Sequence, residues 1–161
     1  MPIVCDTSVL SYLILIDKVE VLPALYGEVL IPEEVAAELR HPQGPKALRT
    51  WMEALPGWLQ VEASNHRLGS DVEDVLRTLD PGERAAIRLA ADMDASLIVM
   101  DEKAGRRIAQ QLGLSVTGTI GILDLAASEG WIDVVRVIEQ LKDTSFRAAP
   151  ALYRWLLERH A

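Results

Sequence analysis

The sequence has little cysteine: Cys5 is the only one among 161 residues, which excludes an internal disulfide framework. A lone thiol fits a reducing compartment, and we expect a cytoplasmic protein. Because Cys5 lies inside an apolar run, we expect it to be a buried packing residue. The amino terminus lacks the basic segment of a secretory signal, and Ser11, Tyr12 and Asp17 interrupt the longest early apolar stretch. No membrane span is therefore predicted.

Aromatic residues are also scarce, at 5% of the chain, whereas half of all residues are hydrophobic. The core must then consist mainly of Leu, Ile, Val and Ala, and a chain of this length is expected to form one domain over residues 1–161. The net charge of −8 argues against a general nucleic-acid coat protein, which would carry a basic face. It does not exclude a nuclease, since bound divalent ions would offset a cluster of acids.

Several catalytic motifs are missing. The chain has no Gly-x-Ser-x-Gly, no Walker loop and no Gly-x-Gly-x-x-Gly after its first apolar run. It has no cysteine pair and no closely spaced histidine pair, which disfavours zinc. We expect His41, His66 and His160 to be ordinary surface residues in turns or at the terminus.

Apolar runs alternate with segments of helical periodicity along the whole chain. Strands are predicted at 3–5, 28–31, 96–100 and 114–116, with a strand or extended edge at 58–61. Helices are predicted at 9–16, 19–26, 33–40, 45–54, 71–79, 83–92, 102–112, 118–129, 134–141 and 151–160. This order predicts an α/β fold, a three-layer α/β/α arrangement around a mostly parallel sheet of about four to five strands. Thr7 and Ser8 are expected to cap the first helix, Pro32 to begin the third, and Pro81-Gly82 to break the chain before residue 83.

Two aspartates follow two predicted strands directly. Asp6 comes after the run 2–5, and Asp101 comes after the run 95–100. Parallel strands would bring both carboxylates to the same carboxyl edge of the sheet, where open α/β sheets place their sites. Each taken alone is equally compatible with an ordinary helix N-cap. The repetition of strand, Asp and helix favours a common site.

Two glutamates complete the candidate cluster. Glu38 lies at the margin of the apolar stripe formed by Val35 and Leu39, and Glu83 opens a helix after Gly82. A solvated helix face and a favourable helix dipole are their simpler explanations. Carboxylates gathered in one pocket repel each other unless a cation lies between them, and hard oxygen ligands suit Mg²⁺ or Mn²⁺. We therefore interpret Asp6, Glu38, Glu83 and Asp101 as a candidate catalytic and metal site.

Residues near these acids supply possible accessory groups. Glu102 is either a further ligand or an acid favoured by the helix dipole, and the hydroxyls of Thr117 and Thr119 are candidates for binding a phosphate or a metal-bound water. Thr7 and Asp124 are weaker candidates for the same site. Cations follow the acids along two predicted helices, either as solvated faces or as a rim that binds a polyanionic substrate. They are Arg84, Arg88, Lys103, Arg106 and Arg107.

The order and spacing of these pieces resemble the PIN-domain family of metal-dependent ribonucleases. The matching segments are IVCDTS at 3–8, PEEVAAEL at 32–39, LDPGERAAI at 79–87 and LIVMD at 97–101. The segments DEKAGRR at 101–107, GLSVTGTIG at 113–121, SFR at 145–147 and LY at 152–153 are similar to one prokaryotic subfamily. The resemblance covers nearly the whole chain.

This resemblance implies an α/β/α fold and Mg²⁺- or Mn²⁺-dependent cleavage of RNA. It often implies a toxin neutralised by a co-expressed antitoxin. By position, Asp6, Glu38, Glu83 and Asp101 would be the acidic site. Glu102 stands where subfamily members often have a second Asp, and Val99 stands where typical toxin members have Thr.

A catalytically weak protein-binding module is the alternative. Residues 146–161 motivate it, because Leu152, Trp155, Leu156 and Leu157 give the predicted last helix an apolar face. That face either packs on its own core or mediates association, with a sister subunit in a homodimer or with an antitoxin. A metal-dependent phosphatase or phosphoacceptor domain on a similar sheet is a third reading, disfavoured because neither strand-following aspartate, Asp6 or Asp101, begins an Asp-x-Asp.

Overall fold

A computed structural model describes residues 2–64 and 67–161, so the expectation for His66 lies outside the described residues. The strands are β1 (Ile3–Cys5), β2 (Val29–Pro32), β3 (Leu59–Glu62), β4 (Leu97–Val99) and β5 (Val116–Thr117). The helices are α1 (Thr7–Leu15), α2 (Val21–Tyr26), α3 (Glu33–Leu39), α4 (Lys46–Met52), α5 (Ser70–Leu76), α6 (Pro81–Asp92), α7 (Lys103–Gln111), α8 (Thr119–Ser128), α9 (Val134–Lys142) and α10 (Pro150–Arg159).

The five strands form one parallel sheet in the order β3-β2-β1-β4-β5. The predicted α/β fold with a parallel sheet is confirmed, and the strand or extended edge predicted at 58–61 overlaps β3 (Leu59–Glu62) at one edge of the sheet. In the centre of the sheet Val4 pairs with both Leu30 and Ile98. The three central strands, β1, β2 and β4, consist almost entirely of buried apolar residues, as expected for a sheet that is covered on both faces.

Side chains alternate between the two faces of the sheet and build two cores. Ile3, Cys5 and Val99 belong to a cluster shared with α1, α3 and α8. Val4 and Ile98 belong to a second cluster, shared with α6 and α7. The three layers of the fold follow from this alternation. The buried position of Cys5 is confirmed.

Three helix starts differ from the sequence prediction. Helix α1 begins at Thr7, so Thr7 and Ser8 lie within its first turn, and Asp6 holds the N-cap position without a side-chain capping bond. Pro32 ends β2 and is the N-cap of α3, with an extended ψ of 161°, rather than a first helical residue. Pro81 and Gly82 lie inside α6, whose N-cap is Asp80, because Pro is tolerated in a first turn that needs no N–H donor.

The longest helix, α6, has 12 residues. Across the described ranges 2–64 and 67–161, no helix combines the length and apolarity needed to cross a bilayer.

Candidate active site

The candidate site lies where the sheet order reverses. Strands β2 and β3 extend from one side of β1, whereas β4 and β5 extend from the other. Cys5 pairs with Val99, and the backbone N–H of Asp6 donates to the Val99 carbonyl at 2.9 Å. Asp6 and Asp101 therefore leave adjacent strands at the same edge of the sheet. A topological switch point of this kind opens a crevice at the carboxyl ends of the strands.

Asp6 is buried there, with 2% of its surface exposed. Its Oδ1 atom has no hydrogen-bond partner among the described residues. Burial raises the pKa of Asp6 to about 7, the backbone N–H of Thr7 opposes this shift, and the carboxylates of Glu83, Asp80 and Glu38 add to it. A buried carboxylate with an unused oxygen is costly to keep, which is typical of a group that binds a cation.

Glu83 is also buried, with 7% of its surface exposed. Its Oε1 accepts a hydrogen bond from the Asp80 N–H at 3.0 Å, while the Glu83 N–H donates to Asp80 Oδ1 at 2.8 Å. This reciprocal capping box fixes the first turn of α6. Burial raises the pKa of Glu83 to about 7, the Asp80 N–H opposes the shift, and the negative charges of Asp80 and Glu102 contribute to it.

Glu38 approaches the same place from α3. A Cβ atom added to Gly82 would lie 2.9 Å from the Glu38 Cδ atom, so the glycine provides the space that the carboxylate occupies. Glu38 is half-buried and contributes to the raised pKa of Asp6. The structure thus places Glu38 and Glu83 within electrostatic range of Asp6.

Asp101 is held on the other side of the crevice by the first residue of α8. The Thr119 N–H donates to Asp101 Oδ1 at 2.8 Å, and the Thr119 hydroxyl donates to Oδ2 at 2.6 Å. A Cβ at Gly118 would lie 2.5 Å from Asp101 Oδ1, so the close approach depends on glycine. Because Thr119 directs both donors at Asp101, its hydroxyl is not free to bind a phosphate. From the sequence alone, that hydroxyl is a candidate phosphate ligand. Asp101 also raises the pKa of the Cys5 thiol, after burial and Asp6.

The donor set fits a hard divalent cation, because it consists of carboxylate oxygens and includes the unpartnered Asp6 Oδ1. Within residues 2–64 and 67–161, however, no three His, Cys, Asp or Glu side chains converge closely enough to form a ready ligand cage. Glu83 and Asp101 instead hydrogen-bond to Asp80 and Thr119. Carboxylates that face each other without a counter-ion repel, which favours such separate partners.

The accessory candidates Thr7, Glu102 and Asp124 differ in the contacts they make. Thr7 lies beside Asp6, and its buried Oγ1 has no partner in the part of the chain that the structure describes. Glu102 caps α7 by accepting from the Ala104 N–H at 2.9 Å, which matches its interpretation as a residue of the helix start. Asp124 is engaged elsewhere.

Asp124 binds the end of α10. Its Oδ1 accepts from Arg159 Nε at 2.8 Å and lies 2.7 Å from His160 Nε2. Burial raises the pKa of Asp124, but the hydrogen bonds from Arg159 and His160 outweigh this effect and lower it overall. The arrangement gives Asp124 a structural role. His160 is correspondingly half-buried, not the surface residue that the sequence predicted, whereas His41 is exposed.

The predicted substrate-binding cations also differ from one another. Arg88 is committed to Glu73 of α5, with its Nε 3.1 Å from both carboxylate oxygens. Arg106 donates from Nη1 to the Met100 carbonyl at 3.0 Å, beside Asp101. Lys103 and Arg107 are exposed on α7, and Arg84 is half-buried on α6. Among these five cations, Arg88 is therefore the only one that forms an ion pair with a carboxylate of the described residues.

Helix α10 divides its apolar residues between the core and the surface. Leu156 is fully buried and Leu157 packs against the core, as the simpler explanation held. Leu152 and Trp155 remain 46% and 43% exposed. They line a groove that extends from Asp101, described further below.

Asp80 is the site residue that sequence reasoning missed. It is exposed, yet its charge raises the pKa of both Asp6 and Glu83. An available signal was its spacing, since an N-cap acid three residues before Glu83 forms a capping box. Its proximity to Asp6 had no local signal, because it depends on how α6 packs against β1.

Comparison with known proteins identifies the family of the chain. A family model described as a PIN domain matches residues 2–161. Neither the curated proteins nor the solved structures contain a match. The resemblance inferred from the sequence motifs is confirmed: the chain belongs to the PIN-domain family.

Proposed function

We propose that this chain is a metal-dependent endoribonuclease that hydrolyses RNA phosphodiester bonds. PIN domains are generally nucleases and typically use divalent metals. The observation that supports the proposal most is the buried Asp6 with its unpartnered Oδ1, whose pKa is raised to about 7 beside Glu83 and Glu38. A protein gains nothing in stability from such a group, so a function is its best explanation.

Mg²⁺ or Mn²⁺ would be held by Asp6, Glu38, Glu83 and Asp101. When bound, the ion supplies a lowered pKa for the attacking water and a positive charge for the leaving oxygen. The chain itself contributes positioning. Thr119 orients Asp101, and the capping box with Asp80 fixes Glu83 at the start of α6. Burial of Asp6 and Glu83 keeps bulk water from competing for their oxygens.

Cleavage of a labelled single-stranded RNA pool tests the proposal. Wild type is compared with Asp6→Asn/Asp101→Asn, each with Mn²⁺, Mg²⁺ or a chelator. The expected result is cutting by wild type with metal only, and none by the double variant. Arg77→Gln is a control variant away from the site, because Arg77 is the C-cap residue of α5 and 76% of its side chain is exposed. Equal cutting by the double variant, or no cutting by folded wild type in any metal, would refute the assignment.

A toxin role with a cognate antitoxin, a homodimeric state and a cytoplasmic location are finer parts of the same proposal. They follow from the subfamily resemblance and from the lone, buried Cys5. Light scattering after size exclusion tests the dimer: a monomer at micromolar concentration would count against it.

The alternative function is a catalytically weak module that binds proteins. The exposed apolar side chains of Leu152 and Trp155 on α10 favour it. In that case no RNA is cut, and the double variant Leu152→Ser/Trp155→Ser loses association with a co-expressed partner or a second copy. Retained association in that variant would exclude this surface as the interface.

A further inference from the structure

A groove of about 530 Å³ opens directly beside Asp101. One wall is the start of α7 together with the turn before α8, and the other is the segment 146–149 with α10. Its lining includes Lys103 and Arg106 on the first wall and Arg147, Leu152 and Trp155 on the second. The groove is therefore continuous with the acidic site but is built largely from residues outside it.

The charge of the groove is opposite to that of the whole chain. Three cations, Lys103, Arg106 and Arg147, line it against one acid, Asp101, although the chain carries a net charge of −8. Such a local reversal attracts a polyanion to this side of the molecule.

The two groove arginines are positioned without being neutralised. Arg106 Nη1 donates to the Met100 carbonyl at 3.0 Å, and Arg147 Nη1 donates to the carbonyls of Thr144 and Phe146 at 3.2 and 2.9 Å. Neither forms an ion pair in the described part of the chain, whereas Arg88 and Arg159 are paired with carboxylates. One anchored nitrogen leaves the remaining N–H groups of each guanidinium available to a phosphate.

An aromatic ring stands at the far wall. Trp155 is 43% exposed, and the guanidinium of Arg159 lies 5.0 Å from its ring centroid on one face. A cation supports the ring from that side, and an exposed indole beside phosphate-binding cations provides a surface on which an unpaired base stacks. Duplex RNA does not offer its base faces in this way.

We propose that this groove binds the single-stranded RNA segment adjoining the cleaved phosphodiester, with Trp155 stacking on an unpaired base and Arg106, Arg147 and Lys103 contacting backbone phosphates. The inference rests on the proposed ribonuclease function, and it specifies the form of the substrate and the side of the site from which it enters.

Binding of a fluorescein-labelled, 12-nucleotide single-stranded RNA tests the inference. Fluorescence anisotropy in chelator measures binding without cleavage, for Trp155→Ala, Arg147→Ala and wild type. The matched controls are Trp131→Ala and Arg136→Ala, because these exposed residues line a different pocket, at the start of α9. Thermal melts verify that every variant is folded.

We expect Trp155→Ala to weaken binding roughly tenfold, as loss of one base stack does. Arg147→Ala should weaken it roughly threefold or more and reduce the slope of log affinity against log salt by about one. The control variants should bind as wild type does, and duplex RNA should compete poorly. With Mn²⁺ present, Trp155→Ala should raise KM for single-stranded RNA more than it lowers kcat.

The outcomes separate this inference from the ribonuclease proposal. If metal-dependent cutting occurs but Trp155→Ala and Arg147→Ala bind RNA like the controls, the groove assignment is wrong and the function stands. If the groove variants lose RNA binding although wild type never cuts RNA, the groove assignment stands and the function fails. If wild type binds no RNA and Trp155→Ala instead abolishes self-association in light scattering, the groove is a protein interface and the inference is overturned.

Discussion

Thr119 donates two hydrogen bonds to Asp101, from its backbone N–H at 2.8 Å and from its hydroxyl at 2.6 Å. Thr119 is fully buried, so water does not substitute readily for either donor. The two bonds fix the plane of the Asp101 carboxylate and thereby the direction in which its remaining lone pairs point. Thr119 is in this sense a positioning residue for the proposed metal site.

Thr119→Val keeps the shape and the backbone bond but removes the hydroxyl. We expect RNA cleavage to fall roughly tenfold, with a weaker apparent affinity for Mn²⁺, because residues that orient metal ligands typically have effects of that size. Titration of Mn²⁺ in the cleavage assay measures both quantities. Thr119→Ser, which retains the donor, should stay close to wild type; if Thr119→Val also does, the hydroxyl has no positioning role.

Gly82→Ala tests the contact between α6 and Glu38. The added Cβ would lie 2.9 Å from the Glu38 Cδ atom, so the carboxylate must shift from its place in the site. We expect a large loss of cleavage, on the order of tenfold or more. The change in Tm should be much smaller, because the half-buried Glu38 side chain can rotate to relieve the clash. Gly57→Ala is the matched control, since its Cβ would meet no described residue within 4 Å. Similar cleavage by the two variants would show that the position of Glu38 is unimportant.

Stability without metal should fall as the pH rises. The pKa values of Asp6 and Glu83 are raised from 3.8 and 4.5 to about 7 in the folded chain. Between these limits the folded chain retains protons that the unfolded chain has released, so the free energy of unfolding decreases with increasing pH through that window. Urea denaturation in chelator at about pH 5 and pH 8 should show a loss on the order of a few kcal/mol.

Asp6→Asn is the control for this pH dependence. An amide in place of the buried carboxylate removes the ionisation, so we expect a flatter stability profile and a higher free energy of unfolding at pH 8 in chelator. Cleavage should be abolished in the same variant. Added Mn²⁺ should raise the Tm of wild type but not that of Asp6→Asn. A wild-type profile as flat as that of the variant would contradict the raised pKa.

Arg88 and Arg106 should behave differently although both follow the acids in sequence. Arg88→Gln breaks a partly buried, bidentate pair with Glu73, and we expect a loss of about 1–2 kcal/mol in stability with little change in KM for RNA. Arg106→Gln leaves no carboxylate unpaired among the described residues and should raise KM with little change in Tm. Urea denaturation and steady-state kinetics on both variants make the comparison. An unchanged stability for Arg88→Gln would mean that its pairing with Glu73 contributes nothing.

Much of the fold follows from local patterns. The apolar runs that became β1, β2 and β4 are short, continuous and separated by helical periodicity, which is enough to predict buried parallel strands. Helix boundaries were less predictable. Thr7 and Ser8 have the chemistry of caps but lie inside α1, because Asp6 takes the cap position as β1 ends. Local propensity cannot fix a boundary that is decided by where the neighbouring strand stops.

The sequence by itself determined that Asp6 and Asp101 follow strands and that Glu38 and Glu83 lie on helices. Only the tertiary structure decided which charges act on one another. It brought Asp80 near Asp6, tied Asp101 to Thr119, paired Asp124 with Arg159 and His160, and committed Arg88 to Glu73. These contacts join residues from different elements, and a sequence pattern carries no information about the packing that places two such elements side by side. That packing is set by the order of the strands around β1.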